Sequence, residues 1–159
     1  MRKTSEQFNF KNHGNYEVKL IKAHIEGFSD QWEIDTSRQE SYEVHKDTVS
    51  YFLYKSNLLW KPGQTFTSEL VSDDTKLLDL VEPIVKDLEN KHNGKRGNVI
   101  LIKLKARKSI PAHQDSGEYL MLSRRNHIPI VSFGGVFFGV GEDSVPMQDG
   151  ECWEINNSR

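Results

Sequence analysis

The stretch "IPAHQDSGEYLMLSRRNHIPI", Ile110 to Ile130, holds two pairs of side chains able to do chemistry. His113 and Asp115 stand two apart, as do Arg125 and His127. In extended chain, residues i and i+2 point to the same side, so His113 and Asp115 can converge on one point. An imidazole and a carboxylate are two parts of the 2-His-1-carboxylate triad, which holds Fe(II) and leaves coordination positions open. The same two residues also suit a hydrogen-bonded polar turn, and the residue types alone leave both readings standing. Gly117 lets the chain turn away from such a site. Arg125 and His127 share a strand face with Ser123, Pro129 and Val131, while Leu122, Arg124, Asn126, Ile128 and Ile130 take the other. Both faces are mixed. Arg125 therefore belongs either in solvent or in a polar pocket, where its planar fork would bind a carboxylate and stay charged.

Such residues need a frame. The β-branched and aromatic runs "YEVKLIKAHI", "TVSYFLYK", "NVILIKLKA", "LMLSRRNHIPIVS", "GVFFGVG" and "ECWEIN" read as strands. They are separated by turn chemistry at "RKSIPAH", "FGG", "GEDS" and "MQDG". One helix is predicted over residues 73–92. Leu77, Val81, Ile84 and Leu88 recur there on a single helical face. Ser72 or Asp73 would cap its start and Gly94 its end. Pro83 inside the pattern should kink or divide it. The expected fold is mainly β with a flanking helix, a sandwich or barrel. Trp60, Phe66, Phe133, Phe137 and Phe138 are expected in core or sheet packing rather than in a cofactor box. Trp153 and Ile155 should pack from one face of the last strand, Cys152 should be a buried or half-buried strand residue, and "KHNGKRG" should be a solvated basic turn.

The bulk properties exclude several classes. The chain has 159 residues, the size of one ordinary domain, and residues 1–159 are read as one. A formal net charge of -2 gives no general attraction to nucleic acid or anionic membranes. No apolar run approaches the roughly 20 residues that span a bilayer. "MRKTSEQFNF" has no apolar leader segment. The single cysteine allows no intrachain disulfide and suits a reducing compartment. A cytoplasmic protein is expected.

Three segments then carry a resemblance. "GNVILIKLKARKSIPAHQD", "RNHIPIV" and "VPMQDGECWEINNSR" resemble, in order and spacing, the aspartyl/asparaginyl β-hydroxylase family. "QWEID" and "VHKDTVSYFLYK" resemble the segments before the core in bacterial and phage members. The resemblance implies an Fe(II)- and 2-oxoglutarate-dependent oxygenase with a double-stranded β-helix (jelly-roll, cupin-like) fold, using O2. It implies His113 as the first iron ligand and Asp115 as the carboxylate ligand. It implies Arg125 and His127 as a pair that helps to hold 2-oxoglutarate. The implied reaction is hydroxylation of an unactivated carbon, with the β-carbon of an Asp or Asn side chain as the candidate. The substrate could be a protein, a peptide or an amino acid.

The sequence also departs from the family. The distal iron-binding histidine is expected just beyond Arg159, where this sequence stops, and a second cosubstrate-binding cation would follow it. His13, His24, His45, His92 and His127 remain, and none stands where the family has that ligand. The favoured reading is a domain that lacks the C-terminal end of its jelly-roll, with an incomplete iron site in this chain. The alternatives are a non-catalytic jelly-roll binding module, or a cupin-type metal enzyme that does not use 2-oxoglutarate.

Overall fold

The computed structural model describes residues 8–28, 30–114 and 117–156. In chain order these form β1 (Phe10–Asn15), α1 (Lys19–Ile25), α2 (Ser37–Ser41), β2 (Thr48–Ser56), β3 (Ser68–Leu70), α3 (Thr75–His92), β4 (Val99–Leu104), α4 (Glu118–Leu122), β5 (Arg125–His127), β6 (Phe138–Val140), β7 (Asp143–Val145) and β8 (Glu151–Ile155). Short 3-10 turns lie at Gln31–Glu33 and Glu43–His45. The organisation is mainly β with some helix. Among the described residues the strands make three antiparallel sheets, and none closes into a barrel. The chain divides into two compact units. One takes residues up to Lys22, Leu58–Gln64 and those from Gln114; the other takes Ala23–Asn57 and Thr65–His113.

In the first unit β8 is the central strand, between β1 and β5. Its alternation covers both faces. Cys152, Glu154 and Asn156 are buried on one side, the first two with no exposure at all. On the other, Ile155 joins Val140 and Met147 in a small core, with Trp153, Phe10 and Val145 packed against it. The Trp153 and Phe10 rings meet edge to face at 6.4 Å. The expected shared face of Trp153 and Ile155 and the buried Cys152 are both found. The "DG" turn before β8 needs its glycine. Gly150 has φ +81°, and a Cβ there would lie 2.4 Å from the Tyr16 carbonyl oxygen. The close approach is held by Tyr16 N–H to Gly150 O at 2.9 Å and Gly150 N–H to Pro129 O at 2.8 Å.

In the second unit β2 is central, between β3 and β4. Its length and its β-branched and aromatic content suit that place. Thr48, Ser50, Tyr51 and Leu53 are buried along it. The Phe28 ring sits 5.5 Å from Trp32 and 5.2 Å from Tyr51, so Trp32 is core. α3 buries Leu77 and Val85. The Asp74 side chain caps its start by accepting from Leu77 N–H at 2.9 Å. Burial alone would raise the Asp74 carboxyl, but the His24 imidazole and the Leu77 N–H outweigh it and hold it below the usual carboxylate value. At the far end Asn93 takes the left-handed conformation and Gly94 N–H closes onto Glu89 O at 3.0 Å.

Several expectations are corrected. "YEVKLIKAHI" is not a strand: residues 19–25 are α1. Val18 and Ile21 are buried while Leu20 is 65% exposed, so the apolar side repeats every three residues, not every two. The Glu17 carboxylate supports the turn by accepting from Lys19 N–H at 2.8 Å. The strand expected over "LMLSRRNHIPIVS" is confined to β5, and its first residues belong to α4. The caps of α3 are Asp74 and Asn93, not Ser72 or Asp73 and Gly94. Pro83 does not divide α3, which runs unbroken from Thr75 to His92. Pro83 and Asp79 are exposed, so water can satisfy the Asp79 carbonyl that a proline cannot.

Phe133, Phe137 and Phe138 are exposed rather than core, and Trp60 and Phe66 are half-buried. A turn through Gly134 and Gly135, closed by Val136 N–H to Phe133 O, places Phe133 and Phe137 in a loop before β6, whose first residue is Phe138. Arg96 of "KHNGKRG" is not simply solvated. Its guanidinium bonds Glu82 at 2.7 and 2.8 Å and Glu89 at 2.8 Å.

Candidate active site

His113 follows β4. Pairing of β2 with β4 sets Thr48 opposite Leu104. Lys105 N–H then donates to Asp47 O at 3.0 Å, so the chain leaving β4 starts beside the turn that enters β2. Residues 105–114 are exposed. The His113 Nδ1 lies 2.9 Å from the Pro111 carbonyl oxygen. A carbonyl only accepts, so in this contact Nδ1 is the donor. A backbone carbonyl at one ring nitrogen is a common partner of histidines that bind metal through the other.

The His113 ring stands edge to face with His45, centroids 5.2 Å apart and planes at 85°. His45 lies at the end of the Glu43–His45 turn and is buried. Its Nε2 is 3.1 Å from Arg38 Nη2. A guanidinium only donates, so in this contact His45 Nε2 accepts. Arg38 also donates to Thr48 Oγ1 at 3.3 Å, and neighbouring Gln39 donates to Thr48 Oγ1 at 3.2 Å and Ser50 Oγ at 2.9 Å. Thr48 Oγ1 donates in turn to His45 O at 2.7 Å. The hydroxyls of β2 thus fix α2, and α2 fixes His45. Asp115, the expected carboxylate ligand, lies outside the described residues, as does Arg159 at the end of the last motif.

Arg125 and His127 both lie on β5, opposite Ile155 and Trp153 of β8, and both are half-buried. As i and i+2 of one strand they share a face. The His127 ring sits 4.8 Å from Phe138. On the other face Asn126 lies 4.0 Å from the Cys152 thiol. β5 therefore brings the two expected cosubstrate residues together in the first unit, while His113 belongs to the second.

Sequence reasoning missed two things here. One is His45, far from His113 in the chain. The other is Glu154, a carboxylate with no solvent exposure. Arg124, the residue before β5, places Nη1 2.9 and 3.0 Å from its two oxygens, and His13 Nε2 lies 2.9 Å from Oε2. These charge-assisted bonds tie β1, β8 and the start of β5 together. Alternation in "ECWEIN" already put Glu154 on the side of Cys152 and Asn156; its charge disguised its burial.

Among the described residues no helix is long and apolar enough to cross a membrane. Comparison with curated proteins and with solved structures finds no match to this chain. Comparison with protein families does: the aspartyl/asparaginyl beta-hydroxylase profile matches residues 16–159. That span runs from the residue packed against Gly150, through β2, β4 and the His113 loop, to β5 and β8. Nearly every element described above falls within it, and the chain accordingly belongs to the aspartyl/asparaginyl beta-hydroxylase family.

Proposed function

We propose that the chain is an Fe(II)- and 2-oxoglutarate-dependent oxygenase that hydroxylates a substrate carbon, with the β-carbon of an Asp or Asn residue as the first target to test. The family match runs through both compact units, which supports reading residues 1–159 as one oxygenase domain, with the jelly-roll as its architecture. The observation that carries the reading is the state of His113. Its Nδ1 lies 2.9 Å from the Pro111 carbonyl oxygen, the kind of backbone partner that supports a metal-ligating histidine.

In this reading His113 supplies one nitrogen ligand and Asp115 the carboxylate. Arg125 and His127 hold a carboxylate of 2-oxoglutarate, Arg125 by charge and His127 by a ring that Phe138 keeps in place. Iron with 2-oxoglutarate and oxygen supplies the oxidising chemistry when bound, and the protein's part is to bind, orient and exclude water. The substrate class is a protein, a peptide or an amino acid.

Succinate formed from 2-oxoglutarate, with and without Fe(II), tests the assignment. Iron-dependent succinate is expected, and His113→Ala should abolish it. No succinate from the protein under any iron condition, or full turnover in His113→Ala, would overturn the reading.

A further inference from the structure

We infer that His45 is a positioning residue for His113, holding the ligand ring edge to face so that Nε2 is presented to the metal. The inference rests on the reading of His113 as an iron ligand and goes beyond it. His113 lies in an exposed segment, where a histidine ring has several rotamers open to it. Contacts with Pro111 and His45 limit that freedom. The Pro111 carbonyl holds one ring atom, which leaves the ring able to pivot about the bond. The His45 ring, nearly perpendicular at 5.2 Å, blocks the pivot.

His45 can do this because it is itself anchored. It is buried, and its Nε2 accepts from Arg38, whose guanidinium is held to β2 through Thr48. That bond also excludes His45 Nε2 as a metal ligand, since its lone pair is used. Arg38, His45 and His113 thus form a chain from the β2 hydroxyls to the ligand nitrogen. Side chains that orient a metal ligand from behind typically alter metal affinity by about 10–100-fold when removed.

The test is Mn(II) binding to the full chain, followed by the electron paramagnetic resonance signal of unbound Mn(II). His45→Ala should weaken Mn(II) binding by about tenfold. His45→Phe keeps a ring edge against His113 and should bind Mn(II) as the wild type does. If His45→Ala fails to fold, His45→Gln takes its place; it keeps an acceptor for Arg38 but has no ring, and the same loss is expected. Wild-type affinity in folded His45→Ala or His45→Gln overturns the positioning role, as does an equal loss in His45→Phe. His113→Ala separates the two claims. If it too binds Mn(II) like the wild type, the ligand assignment has failed; if only the His45 variants do, the positioning role alone has failed.

Discussion

Arg124 and Arg96 are each clamped to glutamate, one in each compact unit. Arg124 meets a single carboxylate, Glu154, whose side chain has no exposure, and shares it with His13. Arg96 meets two carboxylates two turns apart on α3, Glu82 and Glu89, with side chains 27% and 24% exposed. Arg96 also lies 4.8 Å from the Tyr54 ring. The bonds are similar in length, but what differs is what remains if the arginine is lost. Glu154 would stay in the middle of a sheet without its arginine, while Glu82 and Glu89 could turn to water. Depth, more than bond count, decides how much an ion pair matters.

The largest effect is therefore expected at Arg124. Arg124→Ala should destabilise the protein by roughly 3–5 kcal/mol, the cost of leaving a buried carboxylate without its arginine. Denaturant unfolding measures it, and a loss as small as that at Arg96 would remove the contrast. Arg96→Ala comes next, at about 1–2 kcal/mol, because its partners already reach solvent.

The smallest effect is the pH response of the Arg96 cluster. Hydrogen bonds from Arg96 hold the Glu82 and Glu89 carboxyls below their ordinary value of 4.5. A depressed folded-state value contributes stability that is present above the unfolded value and lost as pH falls through the folded one. The melting temperature of the wild type should thus drop as pH goes below about 4.5, and less steeply in Arg96→Ala. Parallel curves for the two proteins would show that Arg96 is not the cause.

The frame was largely legible in the residues because its strands declare themselves. "TVSYFLYK", "NVILIKLKA" and "ECWEIN" are rich in residues that fit a pleated surface, and they became β2, β4 and β8. α1 was hidden because Val18, Ile21 and Ile25 are β-branched, so composition spoke for strand while spacing spoke for helix. Local composition cannot tell a ring in a loop from a ring in a core, which is why Phe133 and Phe137 were misplaced.

At the candidate site, His113 was readable from its neighbours in sequence, whereas its surroundings were not. His45 reaches it only through the pairing of β2 with β4. Arg124 and Glu154 were likewise hidden by the expectation that charge stays in water, an expectation that fails where opposite charges meet inside a sheet.

Cys152 is the chain's one thiol, and it lies on the central strand of its sheet with no exposure. A reagent that attacks thiolates meets it only after the packing around β8 has opened. The protein therefore carries its own timer: the rate of thiol labelling counts openings of the sheet that bears Arg125 and His127, with no probe added to the molecule.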